Sequence, residues 1–272
     1  MTSSPAATLP LDRIVLLGDS LTELSWADEG LAASLAALYT RRFEVANKGL
    51  SGYTSRWALP CFKEWLPKKD DPSKTAILTL WLGANDSALP GEPQHVPLSD
   101  YVANLRTLLS LLRSPTSPYH SPSTSLILIT PPPFHPSSWT HTRVQRGLPE
   151  FCDRSLENTR KYVEAVKELG EREGVPVVDA FEPIWKAAGE REEGLEEFFT
   201  DGLHLNAKSY AFVVEGVKSV IAQYYPDKHW DKLPYLFPYW RDIPTGALGP
   251  EYATADIAVE QLAKKDGGVE PF

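Results

Sequence analysis

Short apolar runs that stop at glycine or proline recur along the chain. Arg13 to Leu17 is apolar after its first residue and ends at Gly18, Ala76 to Leu82 ends at Gly83, and Leu126 to Ile129 runs into Pro131-Pro132-Pro133. Runs this short and continuous predict strands covered on both faces. Phe43 to Asn47 and Val175 to Asp179 are shorter candidates of the same kind. Between them the apolar period changes to that of a helix. Leu31, Leu35 and Leu38 predict a helix over 26–39, and Trp57, Leu59, Phe62, Trp65 and Leu66 a second, bent or interrupted at Pro60. Val102, Leu105, Leu108, Leu109 and Leu112 predict a third, capped by Ser99 or Asp100. A long helix is expected over 151–173 with Gly174 as its stop, and a last one from Asn206 through Tyr225. Strands alternating in this way with helices predict an α/β fold, a parallel sheet with helices on both faces.

The segments left over are polar or irregular. Residues 1–12 are rich in Ser, Thr, Ala and Pro and read as a flexible leader. Ser114 to Ser123 is a Ser/Pro-rich surface insertion, and 134–150 is an irregular loop of the sort that forms lids or binding loops. Within it, His135 and His141 are expected at the surface. The run Glu190-Arg191-Glu192-Glu193 reads as a solvated face. After Tyr225 the chain turns aromatic, with Trp230, Tyr235, Phe237, Tyr239 and Trp240. The expected organisation is thus a leader over 1–12, one domain over 13–225, and an extension over 226–272. That extension packs either on its own domain or on a second copy, making a homodimer one expectation.

Composition narrows the function classes. The 272 residues carry a net charge of −9, which disfavours a nucleic-acid partner, and 42% hydrophobic against 23% charged residues is ordinary for a globular chain. No stretch approaches the length of a membrane span, and no targeting address is visible, so the cytoplasm is the default compartment. Cys61 and Cys152 form no CxxC pair and are expected as free thiols. The six histidines show no metal-ligand spacing, so neither a metal nor a cofactor is expected.

Four short segments carry candidate chemistry. Gly18-Asp19-Ser20-Leu21 places Ser20 at a strand-to-helix turn, either as a helix cap or as a nucleophile. No Gly-x-Ser-x-Gly elbow surrounds it. Asp201-Gly202-Leu203-His204 puts an acid and an imidazole three residues apart, able to face one another as orienter and base, or else to be a cap and a surface histidine. Gly49-Leu50-Ser51-Gly52 and Gly83-Ala84-Asn85-Asp86 offer an open backbone N–H and a neutral amide donor, or simply turn residues. Three of the four segments follow predicted strands, whose carboxyl ends converge on one edge of a parallel sheet. A metal-dependent phosphoesterase and a non-catalytic binding module are rival readings. The first lacks additional ligands after β-strand one, and the second has no need of Ser, Asn and His together.

In order, these segments resemble the four blocks of the SGNH (GDSL-type) hydrolase superfamily. Asn47 to Trp57, Leu82 to Asp86, Thr200 to His204 and Tyr239-Trp240-Arg241-Asp242 are similar to its isoamyl acetate-hydrolysing esterase branch. The resemblance spans about 13–242. It implies a flavodoxin-like three-layer α/β/α sandwich on a five-stranded parallel sheet. It further implies Ser20 as nucleophile, His204 as base, Asp201 as its orienter, and an oxyanion hole from the Ser20 amide, Gly52 and Asn85. Asp19 is then expected to brace the turn that presents Ser20. The implied activity is serine ester hydrolysis of short, acetyl-type esters of small alcohols. Carbohydrate deacetylation and longer-chain lysophospholipase or thioesterase activity are the alternatives.

Overall fold

The first strand, β1 (Arg13–Gly18), alternates its side chains between two cores, Ile14 and Leu16 on one face and Val15 and Leu17 on the other. The computed structural model describes residues 11–236 and 241, except 70 and 72. Strands β2 (Glu44–Gly49), β3 (Thr75–Trp81), β4 (Ser125–Ile129) and β5 (Val177–Val178) join β1 in a five-stranded sheet of order β2-β1-β3-β4-β5, with every pair parallel. This is the order of the flavodoxin-like doubly wound sheet, and it places a topological switch point between β1 and β3. Central β3 and β4 are buried throughout, whereas edge strand β2 is only half covered.

Helices α2 (Leu31–Leu38), α7 (Glu182–Ala187) and α8 (Ala207–Tyr224) cover one face. Helices α3 (Ser55–Trp65), α4 (Leu98–Arg113) and α6 (Leu156–Glu173) cover the other. The remaining two, α1 (Ser20–Glu23) and α5 (Pro136–Gln145), stand by the carboxyl edge of the sheet. Capping explains several boundaries. Thr54, Ser155 and Asn206 accept N–H bonds at the starts of α3, α6 and α8, and Gly174 ends α6 at a φ of 59°.

Some expected boundaries move. The helix expected over 26–39 begins only at Leu31, because α1 and a 3-10 turn (Leu24–Trp26) take up the preceding chain. Pro97 stands at the N-cap of α4 and no side chain caps it, so Ser99 and Asp100 do not have that role. Helix α6 starts at Leu156 rather than at 151, where Ser155 supplies the cap. Pro60 is accommodated inside α3. The largest difference is at 134–150. In place of an irregular loop the chain forms α5, opened by Pro136 in the first turn, a position where its missing N–H costs nothing. His135, expected at the surface, is only 8% exposed, with its Nδ1 2.7 Å from the Ser138 hydroxyl.

Past α8 the chain returns over α2. The Tyr39 hydroxyl donates to the Lys228 carbonyl at 2.8 Å, Arg42 donates to the Leu233 carbonyl at 3.0 Å, and Trp230 meets Tyr39 edge to face. Residues 1–10, 237–240 and 242–272, which include most of the expected leader and extension, lie outside the described residues. Among the described residues, no helix is long and apolar enough to cross a membrane.

Candidate active site

The three strand ends that matter are in register. Gly18 of β1 pairs with Gly49 of β2 and Trp81 of β3, so the turns after these strands leave the sheet side by side. Gly18 permits a close approach, since a Cβ there would overlap the Thr22 side chain. Asp19 is the N-cap of α1 and accepts the Leu21 N–H at 3.0 Å, so it braces the turn that carries Ser20. The Leu50 N–H donates to the Gly18 carbonyl at 3.0 Å, which ties the second turn to the first.

Ser20 is 5% exposed, and its Oγ lies 3.0 Å from His204 Nε2. The other imidazole nitrogen, Nδ1, lies 2.8 Å from Asp201 Oδ2. Asp201 Oδ1 accepts the backbone N–H groups of Leu203 and His204 at 3.0 and 2.9 Å. This loop is therefore an Asx-type turn whose carboxylate is held in place before the imidazole reaches it. Partial burial works to raise the Asp201 carboxyl, but the hydrogen bonds from the His204 ring and from the two backbone amides outweigh it and hold it well below the carboxylate range. An ionised Asp201 selects the imidazole tautomer with a proton on Nδ1 and a lone pair on Nε2 facing Ser20.

Gly52 occupies the third position of the turn from Leu50 to Tyr53, closed by the Tyr53 N–H to the Leu50 carbonyl at 3.1 Å. Its φ of +78° is the left-handed geometry that a type II turn demands there. Asn85, 3% exposed, donates one amide hydrogen to the Tyr53 carbonyl at 2.9 Å, which fixes the side chain and leaves its second hydrogen to point elsewhere. Among the described residues, neither the Ser20 nor the Gly52 N–H is engaged in a hydrogen bond. The structure thus brings Ser20, Gly52, Asn85, Asp201 and His204 to one edge, where the four candidate segments meet.

Several surrounding residues gave no sequence signal. Helix α5 backs the Asp201–His204 turn. The His135 N–H donates to the Gly202 carbonyl at 2.7 Å, Thr142 Oγ1 to the Asp201 carbonyl at 2.8 Å, and Arg146 to Asp201 Oδ2 at 3.1 Å. Trp139 meets the His204 ring edge to face at 6.4 Å and packs with Phe134 and Leu203. Its indole N–H donates to Asp153 at 2.7 Å, a buried carboxylate that also receives Arg143 and Arg154. Burial works to raise the Asp153 carboxyl, and the two guanidinium groups with the indole N–H more than offset it. Adjacent Asp153 and Arg154 look like a surface charge pair in a sequence. Only the packing of α5 over them reveals a buried cluster.

A model of the GDSL-like lipase/acylhydrolase family matches residues 16–212, a span that includes every residue of this site. The chain belongs to the GDSL-like lipase/acylhydrolase family. This GDSL-like protein is 35% identical to the bovine isoamyl acetate-hydrolyzing esterase 1 homolog, over 85% of its own length and 88% of the relative's. It is 32% identical to the isoamyl acetate-hydrolyzing esterase of Saccharomyces cerevisiae, over 85% and 95% respectively. Among solved structures, a lipase/acylhydrolase from Enterococcus faecalis superposes with a TM-score of 0.52 at 22% identity, covering 78% of this chain and 95% of that one. A carbohydrate acetylesterase family member from Sinorhizobium meliloti gives 0.55 at 16% identity, covering 78% and 97%. The structural likenesses establish the α/β fold, and the sequence relatives establish a carboxylic ester hydrolase.

Proposed function

We propose that this GDSL-like enzyme hydrolyses short-chain carboxylic esters, acetates of small alcohols first among them, through an acyl-enzyme on Ser20. The observation that carries the reading is the continuous hydrogen-bonded line from Ser20 Oγ through His204 to Asp201. Ser20 Oγ attacks the ester carbonyl carbon as His204 Nε2 takes its proton. The carbonyl oxygen, now an oxyanion, lies against the N–H groups of Ser20 and Gly52 and the free amide hydrogen of Asn85. Collapse of the tetrahedral species expels the alcohol, which leaves with the proton held on His204. Water then enters, His204 takes one of its protons, and a second tetrahedral species releases the acid and restores Ser20. Asp201 keeps the imidazole oriented and stabilises it while it is charged. The acetyl preference is supported by the names of the bovine and yeast relatives.

A chain-length series of p-nitrophenyl esters, acetate through dodecanoate, tests the reading with Ser20→Ala as the blank. The expected result is a maximum at the short end and no turnover by the blank. A maximum at long chains would move the enzyme to the lysophospholipase or thioesterase class. Activity confined to acetylated sugars would move it to the deacetylases. Full activity in Ser20→Ala would remove the acyl-enzyme altogether.

A further inference from the structure

Two residues with no place in the proton relay tie two of the three oxyanion-hole donors, Gly52 and Asn85, to one point. Arg154 is almost fully buried, its side chain 1% exposed. Its Nη1 donates to the Ala84 carbonyl at 2.7 Å, the peptide immediately before Asn85. Its Nη2 reaches Gln94 Oε1 at 3.3 Å, and Gln94 Nε2 donates to the Gly52 carbonyl at 2.8 Å. Asn85 closes the circuit through its own bond to the Tyr53 carbonyl. The guanidinium is itself fixed, since its Nε and Nη2 both face the Asp153 carboxylate.

The geometry determines what this circuit can do. The Gly52 N–H belongs to the central peptide of a four-residue turn, and a glycine with positive φ is the least constrained residue of the chain to hold in one orientation. On the preceding side, Glu23 Oε2 accepts the Ser51 N–H at 2.6 Å. On the following side, Gln94 holds the Gly52 carbonyl. The peptide carrying the Gly52 N–H is thus pinned between two fixed neighbours, one of which depends on Gln94 and, through it, on Arg154. A planar guanidinium suits this task because its rigid fork directs donors in fixed directions at a carbonyl, an amide oxygen and a carboxylate.

We infer that Gln94 and Arg154 are positioning residues that hold the Gly52 and Asn85 donors in the oxyanion-hole geometry. They act on the tetrahedral species rather than on the bound ester, because preorganised donors count most where charge develops. This rests on the acyl-enzyme reading of the site above.

The test uses the full chain and the half-buried member of the pair. Gln94→Met removes the bond to the Gly52 carbonyl at similar volume. Gln94→Glu keeps an acceptor for Arg154 but sets a carboxylate against that carbonyl. For each, kcat and KM for p-nitrophenyl acetate are measured, with thermal midpoint and inhibition by a short trifluoromethyl ketone. That ketone adds Ser20 Oγ to its carbonyl carbon, passes the serine proton to His204 and leaves an oxyanion in the hole. Both variants are expected to lose about tenfold in kcat, less than deletion of a donor costs, with KM little changed and ketone affinity reduced by the same factor. Kinetics for both variants are read well below their thermal midpoints, which separates positioning from folding. Near-wild-type kcat and ketone affinity in Gln94→Glu would overturn the inference, as would a kcat loss without a matching loss of ketone affinity. Asn85→Ala and Ser20→Ala run alongside. If they are inactive while the Gln94 variants are normal, only the positioning role fails, whereas an active Ser20→Ala would sink the acyl-enzyme reading itself.

Discussion

Arg146 Nη2 lies 3.1 Å from Asp201 Oδ2, the same carboxylate oxygen that faces His204 Nδ1. That oxygen is therefore shared between the imidazole and the guanidinium of Arg146, the residue that closes α5. Arg146→Met leaves that oxygen to the imidazole, with the carboxylate still held by the Leu203 and His204 amides on Oδ1. Arg146 is 52% exposed on its side chain, so its effect is expected to be small, about twofold or less in kcat, and to vanish in high salt. Steady-state kinetics at two ionic strengths measure it, and an unchanged kcat at low salt would show that Arg146 does not help to hold Asp201.

Asp201→Asn tests the orienting role directly. Its amide can still accept the Leu203 and His204 backbone N–H groups through Oδ1, so the turn is expected to survive. At Oδ2 an amide nitrogen would face His204 Nδ1 and favour the wrong tautomer, with a loss of about 10²–10⁴ in kcat. Because the folded Asp201 carboxyl is held low, the wild type gains stability from it at neutral pH and loses that gain as pH falls below the carboxylate range. The variant lacks this loss, so the two melting curves are expected to converge in acid. Wild-type turnover by Asp201→Asn would remove Asp201 from the mechanism.

Asn85→Ala removes the amide proposed as an oxyanion donor and also frees the Tyr53 carbonyl. A loss of about 10²–10³ in kcat with KM nearly unchanged is expected. Steady-state kinetics on p-nitrophenyl acetate, with circular dichroism to establish folding, decides the matter. A rise in KM at constant kcat would assign Asn85 to substrate binding instead.

What was legible in the sequence follows a physical division. The buried strands are legible as continuous apolar runs, and a parallel sheet puts the turns after β1, β2 and β3 on one edge. Asp201 and His204 were legible because they share one turn. Helix α5 was not, since Pro136, Ser137 and Ser138 resemble a loop and its buried side chains, Trp139 and Arg143, include a charge. Gln94 and Arg154 lie 60 residues apart and meet only through tertiary packing, which no local period encodes. The burial of His135 is illegible for the same reason, because it depends on α5.

Asp19, fully buried, keeps one carboxylate oxygen on the Leu21 N–H and has no partner for the other. Burial, with the nearby Asp86 carboxylate, pushes its carboxyl up to about 7. The folded protein therefore holds a proton that the unfolded chain has already released, so stability is full in acid and is lost as pH rises through about 7. Asp19→Asn keeps the acceptor for Leu21 without the charge, and is expected to flatten the decline and to be the more stable protein near pH 8. Asp86, pushed up to about 6 by its own burial, leaves a residual slope in both. Thermal melts from about pH 5 to about pH 8 test this, and parallel curves for the two proteins would remove Asp19 as the source.

Gly202 joins the relay to α5 with no room to spare. Its φ is +91°, and a Cβ there would overlap the backbone of Ser138 and Trp139. Gly202→Ala therefore meets two obstacles, a left-handed backbone and a helix that cannot yield without drawing Trp139 away from His204. The substitution is expected to lower the thermal midpoint, with a cost of about 1–3 kcal/mol, and to cut kcat in the molecules that remain folded. Gly147, at the end of the same region, has a φ of +76° but nothing within reach of an added Cβ, so Gly147→Ala carries the backbone strain alone. Comparing the two separates strain from displacement. If α5 fixes the imidazole, kcat measured below the melting transition falls in Gly202→Ala and holds in Gly147→Ala. Equal kcat in both would mean that His204 is placed by its bond to Asp201 without help from α5.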